Sequence, residues 1–361
     1  MPADVPLEPD VLDAFSPATA AWFRGAFAAP TAAQVGAWEA VAGGRDALVV
    51  APTGSGKTLA AFLWSLDRIA AEPLPDEPRH RARVLYVSPL KALAVDVERN
   101  LRSPLVGIRR EAVRLGLPEP VVEVAIRTGD TPPAERARQA RRPPDVLITT
   151  PESLFLILTS QARESLRGID TVIVDEVHAV AGTKRGAHLA LSLERLDALL
   201  PAPARRIGLS ATVRPVEEVA RFLGGSRDVV VVAPESSKRI ELEVVVPVDD
   251  MSALGVPVHD DATDRVVTPS IWPHVEERVV DLVASHRSTL VFANSRRLAE
   301  RLTARLNEIW HERLTGEVLE TGGAPAALMA QAGSSGGAAP VLARAHHGSV
   351  SKEQRAIIED D

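Results

Sequence analysis

The run Ala51, Pro52, Thr53, Gly54, Ser55, Gly56, Lys57, Thr58 collects residue types that together suit the holding of a polyphosphate. Gly54 and Gly56 let the backbone bend until successive N–H groups converge, and a following helix adds partial positive charge at its N-terminus. Lys57 would then reach the β- and γ-phosphates, and the Thr58 hydroxyl would ligate magnesium. The strict form of such a loop has glycine where Ala51 stands. The flanking residues supply the required context, "ALVV" as the strand before and "LAAFLWSL" as the helix after. The ligand expected is a nucleoside triphosphate, ATP or GTP.

A magnesium-bound nucleotide asks the protein for only one or two oxygen ligands, because the metal keeps waters and phosphate oxygens. In "TVIVDEVHAV" an apolar run ends at Asp175 and Glu176. Asp175 would hold the metal through its water shell, and Glu176 would polarise the attacking water. Lys57, Asp175 and Glu176 are therefore the catalytic candidates. Plainer uses stand beside these: a Gly/Ser turn capping a helix, two acids capping another, an ordinary hydrogen-bonded histidine at His178, a simple helix start at "LSAT".

These side chains must be positioned by a sheet. The runs "DALVVA", "RVLYVSP", "VVEVAI", "DVLITT", "TVIVDE" and "RRIGLSAT" are continuous and apolar, and the segments between most of them are long enough for crossover helices. That pattern predicts an α/β lobe with a parallel sheet covered on both faces, over roughly residues 30–232. Residues 1–29 read as an N-terminal helical extension. Residues 233–270 read as a linker holding one clear strand and an inserted hairpin. Residues 271–361 read as a second, partial α/β lobe: helix "VEERVVDLVASH", strand "STLVFAN", helix "SRRLAERLTARLNEIWHERL", then the small-residue stretch "TGGAPAALMAQAGSSGGAAP" as a loop and a last helix.

The 361 residues contain no cysteine, so disulfides and thiolate zinc sites are excluded. No apolar run approaches the roughly 18 residues of a membrane span, and the first residues lack the layout of a secretion signal. The expectation is a cytoplasmic protein with no membrane partner. A net charge of −7 does not exclude a nucleic-acid partner, because binding depends on where charge sits. Residues 127–142 carry five arginines against Asp130 and Glu135, which suits either a solvated helix face or a phosphate-facing surface. A single tyrosine makes base stacking sparse.

"APTGSGKT", "DEVH" at 175–178 and "SAT" at 210–212 occur in the order that resembles superfamily 2 helicases of the DExH type. "FAAPTAAQ" resembles their Q-motif, which makes Gln34 the expected adenine reader. With Thr53, Gly54, Ser55, Gly56, Lys57 and Thr58 it completes the ATP site. "SPLKAL", "RTGDTP", "TTPESL", "VFANSRR" and "HHGSVSKEQR" resemble the segments that contact nucleic acid, and the combination is most similar to the Lhr family of large helicase-related proteins. The resemblance implies a P-loop NTPase with RecA-like lobes, ATP and Mg2+ as cofactors, and Mg2+ held by Thr58 and, through water, by Asp175. His178, Ser210 and Thr212 would couple hydrolysis to lobe movement. Lys91, Gly129, Thr150, Arg296 and Gly348 would meet a strand through phosphate and sugar, without reading bases. DNA as single strand or tailed duplex, 3′-to-5′ travel and a DNA-repair role follow by the same resemblance.

Two segments that the resemblance also carries are not found before Asp361, one touching nucleic acid and ATP and one with arginines that reach the γ-phosphate. Winged-helix and later domains are not found either. Such an arginine is worth about 10³ to 10⁵ in rate, so the expectation is a truncated chain that binds ATP and nucleic acid but hydrolyses and unwinds poorly. The alternatives are a non-motor P-loop ATPase, such as a transporter cassette or small-molecule kinase, and a non-catalytic ATP- and nucleic-acid-binding fragment. The ordered "DEVH" and "SAT" segments and the lack of an LSGGQ-type signature count against the first of these.

Overall fold

The computed structural model describes residues 10–211, 213–235, 241–248, 258–260, 265–267, 271–316, 342–351, 354–355 and 357–358. The chain divides into two compact units, Met1–Arg239 and Ile240–Asp361.

In the first unit, helices α1 (Pro17–Ala26) and α2 (Ala32–Ala42) precede strand β1 (Asp46–Val50) and helix α3 (Lys57–Ala71). There follow β2 (Val84–Val87), α4 (Lys91–Arg114), β3 (Val124–Arg127), α5 (Pro133–Arg141), β4 (Val146–Thr149) and α6 (Pro151–Leu158). The unit closes with β5 (Thr171–Val174), α7 (Val177–Val180), α8 (Lys184–Asp197), β6 (Arg205–Ser210), α9 (Val216–Gly224) and β7 (Val229–Val232). Helix starts follow local chemistry. Ser16 accepts the Thr19 N–H with Pro17 in the first helical position, and Thr31 and Gln34 form a reciprocal capping box at α2.

The seven strands form one sheet in the order β3-β4-β2-β5-β6-β1-β7, every neighbouring pair parallel. Alternate residues bury on opposite faces. Ala47, Val49, Val84, Tyr86, Ile148, Ile173, Ile207 and Leu209 pack with α2, α3 and α4. Leu48, Val50, Leu85, Val87, Leu147, Val172 and Val174 pack with α6, α8 and α9. The helix after β1 thus covers one face, while the helices after β5 and β6 cover the other. The chain changes direction between β1 and β6, and a crevice at the carboxyl ends of the strands is expected at such a point.

The N-terminal helix is part of the first unit. Phe15, Phe23, Trp38 and Leu63 bury together, with Phe15 and Phe23 meeting the Trp38 ring edge-on at 4.9 and 5.5 Å. At the sheet's far edge, Asp145 is fully buried and receives both Arg81 Nε (3.1 Å) and Arg81 Nη2 (2.8 Å) as well as the Glu123 N–H (2.7 Å). This ties the start of β3 to β4 and to the segment before β2.

In the second unit, β8 (Val258–Asp260) pairs antiparallel with β9 (Arg265–Val267), a hairpin within the segment 233–270. Helices α10 (Trp272–Ser285) and α11 (Arg296–Thr315) pack through Val280, Leu302, Leu306 and Ile309. Asn307 fixes the returning chain: its amide donates to the Ala343 carbonyl (2.9 Å) and its oxygen accepts the Leu342 and Ala343 N–H groups. The strand expected at "STLVFAN" belongs to neither sheet, and Leu290 and Phe292 stand 82% and 91% exposed. Residues 241–246, equally β-rich in sequence, are in neither sheet and leave Leu242 and Val244 exposed. A parallel strand takes its hydrogen bonds from its neighbours, and neither segment has one among the described residues. The small-residue stretch read as a loop, 321–340, lies outside them.

Asp145→Ala should lower the stability of the first unit by about 3 kcal/mol, because buried Arg81 loses its two-pronged partner and keeps only its contact with Glu123 at 3.1 Å. Urea unfolding checks this; a loss below about 1 kcal/mol would mean the pair is not what anchors β3.

Candidate nucleotide and nucleic-acid site

The candidate site is built from the ends of β1, β6 and β5. Val50 lies beside Ser210 in register, and the Ala51 N–H donates to the Ser210 carbonyl at 3.2 Å. Neighbouring strands lie about 4.8 Å apart, so the loop after β1 and Asp175 after β5 begin only two strand spacings, about 10 Å, from each other.

After Ala51 the loop turns tightly, with Ser55 N–H on the Pro52 carbonyl, and Gly54 and Gly56 both lie at φ 79°. A side chain at Gly56 would be strained by that backbone, and its Cβ would come within 2.6 Å of Gln34 Nε2. Helix α3 starts at Lys57 with no side-chain cap on its first amides, the arrangement that favours an anion. The Ser55 Oγ is buried with no hydrogen-bond partner, as a hydroxyl aimed at a phosphate oxygen would be. Lys57 Nζ donates to the Pro52 carbonyl at 2.9 Å and to that of Ala51, so the ammonium group rests on its own loop. Thr58 is half-buried in the first turn of α3, and Thr53 is exposed.

Gln34 is buried, and both ends of its amide are engaged. Its oxygen accepts the Thr31 N–H (2.9 Å), and Nε2 points to the Gly56 carbonyl (3.5 Å). Thr31 Oγ1 donates to the Ser55 carbonyl at 2.9 Å. The segment before α2 is therefore fastened to the phosphate loop itself.

Asp175 Oδ1 accepts the Glu176 N–H at 2.9 Å, and Oδ2 accepts the hydroxyl of Tyr86. Burial, then the charge of Asp175, pushes the Tyr86 phenol far above its ordinary range, so the hydroxyl stays a donor. Tyr86 is the functional neighbour that motif spacing does not reveal; the available signal was one hydroxyl inside the apolar strand "VLYV". Glu176 sits at φ 46°, ψ 45°, the single non-glycine residue with positive φ among the described residues. Its carboxylate lies 3.3 Å from His178 Nε2.

His178 joins the acid pair to β6. Its Nδ1 receives the Ala211 N–H at 3.3 Å and lies 3.2 Å from Ser210 Oγ. A backbone N–H can only donate, so Nδ1 carries the lone pair and the ring proton sits on Nε2, facing Glu176. Thr212 lies outside the described residues.

The residues expected to meet a strand fall at the carboxyl ends of β2, β3 and β4, on the same edge of the sheet. Lys91 pairs with Asp130 at 2.7 Å, with Gly129 beside it, and Arg136 Nη2 donates to the Gly129 carbonyl at 2.6 Å. Thr150 is buried as the cap of α6, its hydroxyl on the Ser153 N–H and Oγ. Of the five arginines at 127–142, Arg138 and Arg142 are paired with Glu135 and Glu123. In the second unit, Arg296 Nη1 donates to Ser349 Oγ at 2.8 Å and its guanidinium lies 3.4 Å from where a Cβ on Gly348 would be.

The described residues hold no cluster of three or more His, Cys, Asp or Glu side chains able to bind a metal alone. The donors present, a hydroxyl and a carboxylate at the rim of a phosphate loop, fit a hard cation carried mainly by phosphate oxygens. No helix is long and apolar enough to cross a membrane.

The DEAD/DEAH box helicase model matches residues 31–221. The chain is 62% identical over 359 residues to the Lhr helicase/probable uracil glycosylase of Mycolicibacterium smegmatis, covering 98% of this chain and 23% of that protein. Against the Lhr helicase/uracil glycosylase of Escherichia coli it is 54% identical, covering 96% of this chain and again 23% of the relative. It therefore spans about a quarter of the length of these relatives. A solved structure of Mycobacterium smegmatis helicase Lhr bound to ssDNA and AMP-PNP superposes with a TM-score of 0.75 at 59% identity, over 98% of this chain and 40% of that one. The α/β fold is that of RecA-like helicase lobes.

Glu176→Gly should leave the protein more stable than Glu176→Ala by about 1 kcal/mol, since alanine keeps the left-handed backbone cost that glycine escapes. Paired thermal melts decide it; equal stabilities would show that Glu176 is not strained.

Proposed function

The chain belongs to the DEAD/DEAH box helicase family, on its Lhr branch, and from that premise we propose that it is the ATP-hydrolysing core of a motor that moves along a DNA strand. The observation that carries this reading is His178, held at once by Glu176 and by the end of β6. A P-loop protein that only transfers a phosphoryl group has no need to wire its water-activating carboxylate to a second strand end. A motor does, because the state of the nucleotide must be reported to the rest of the chain.

Lys57 leaves the Ala51 and Pro52 carbonyls for the β- and γ-phosphates, while the amides of α3 and the Ser55 hydroxyl surround them. Thr58, and Asp175 through water, would hold Mg2+, which when bound neutralises charge on the phosphates. Glu176 orients the attacking water, with His178 Nε2–H steadying its carboxylate. Gln34 is proposed as both the adenine-side contact and the link to Gly56. Loss of the γ-phosphate would relax Glu176 and pass through His178 to Ser210 and Thr212.

The strand would lie across the ends of β2, β3 and β4, gripped by Lys91, by the Gly129 backbone and by the capped turn at Thr150. Arg296 and Gly348 would supply contacts from the second unit. Unit Met1–Arg239 is read as the first lobe with its helical extension, and unit Ile240–Asp361 as part of the second. DNA is favoured because the similar solved helicase is bound to ssDNA. Travel 3′ to 5′, a repair setting and a cytoplasmic location belong to the same proposal by family likeness.

Hydrolysis of ATP by the 361-residue chain, expected to be slow, tests the reading when measured with and without a thymidine oligonucleotide; a rise with the strand is expected, and strand-independent turnover would favour a non-motor ATPase. Lys57→Ala should weaken nucleotide binding more than tenfold, whereas Glu176→Gln should keep binding and lower turnover by about 10² or more. Undiminished turnover in the second variant would move the base elsewhere. Strand affinity should fall about tenfold between 50 and 200 mM salt, as counterion release requires for a few phosphate contacts; a salt-independent affinity would rule out phosphate tracking.

A further inference from the structure

Tyr86 is the chain's one tyrosine and is fully buried in β2, between Leu85 and Val87 on the sheet. Its ring stacks on Phe62 of α3, centroids 5.2 Å apart at an interplanar angle of 30°. Its hydroxyl reaches past the end of the apolar layer to donate to Asp175 Oδ2. A phenol placed in that layer without an acceptor would cost about 1–3 kcal/mol, so the hydroxyl and the carboxylate are placed for each other.

We propose that Tyr86 is a positioning residue for the reaction: it locks the Asp175 carboxylate in the orientation that receives the metal–nucleotide complex, and ties that orientation to the helix that begins at Lys57. This rests on the ATP-site reading above. A carboxylate turns freely about its last bond unless both oxygens are held. Here the Glu176 N–H holds Oδ1 and the Tyr86 hydroxyl holds Oδ2, while each oxygen keeps a further lone pair for a metal-bound water. The link to α3 is steric. Phe62 lies on the second turn of that helix, so any shift of its first turn on nucleotide binding presses on the ring that holds Asp175. A partner that orients a ligand in this way is typically worth 10- to 100-fold in metal affinity.

The test uses the full 361-residue chain and a fluorescent ATP analogue titrated with Mg2+. Tyr86→Phe keeps the ring and its stacking and removes only the donor. It should melt close to the unaltered protein and bind the analogue equally in the absence of Mg2+. The Mg2+ concentration for half-maximal tightening should rise about tenfold. Adding the change to Asp175→Asn should produce no further shift. An unchanged Mg2+ midpoint, or an equal further shift in the double variant, overturns the proposal. Should Tyr86→Phe fold poorly, the unaltered sequence still answers: with 3-fluorotyrosine incorporated it gives one fluorine resonance, expected to move on adding Mg2+ with a non-hydrolysable ATP analogue. A resonance that moves equally without Mg2+, or not at all while the analogue is bound, overturns the proposal. If the unaltered chain binds no nucleotide, the ATP-site reading fails first and this inference falls with it.

Discussion

The spacing of a parallel sheet is the constraint on which everything else depends. Because β5, β6 and β1 run in the same direction and end together, three loops that are distant in sequence open onto one edge. The phosphate loop, the acid pair and Ser210 therefore meet without any long side chain having to reach. The helices then divide the labour: α3 leaves toward one face, α7, α8 and α9 toward the other, and the gap between them is where a polyphosphate can enter. The ends of β2, β3 and β4 continue the same edge, which puts the proposed nucleotide and strand contacts of the first unit in a single row rather than on opposite sides.

Much of this was legible in the sequence, because the signals are local. Gly54, Gly56 and Lys57 announce a phosphate loop by type and spacing, and the apolar runs before Ala51 and Asp175 are buried strands with helices after them. What escaped is what depends on partners. The left-handed backbone of Glu176 carries no residue signature, since glycine or asparagine would be expected there. Tyr86 reads as one more strand residue until β5 is laid beside β2. Gln34 reads as a ligand contact, and its second engagement, with Thr31 and the loop at Gly56, shows only in the folded chain. "STLVFAN" has every strand propensity and no strand, because propensity cannot supply a hydrogen-bonded neighbour.

Charge shows the same lesson. The net −7 hides a surface in which several arginines are committed to named carboxylates: Arg138 to Glu135, Arg142 to Glu123, Arg185 to Glu152. Even Lys91, set beside Gly129 at the strand surface, is balanced by Asp130, with both side chains more than half exposed. A polyanion laid there meets cations already engaged and must exchange one carboxylate for a phosphate. Such an exchange would give modest grip that is blind to sequence.

The resting place of Lys57 has its own consequence. With its ammonium group lodged on the Ala51 and Pro52 carbonyls, an incoming anion has to compete with those two oxygens for the same cation. The uncapped amides at the start of α3 face no such competition, so an anion can meet the backbone before the side chain turns to it.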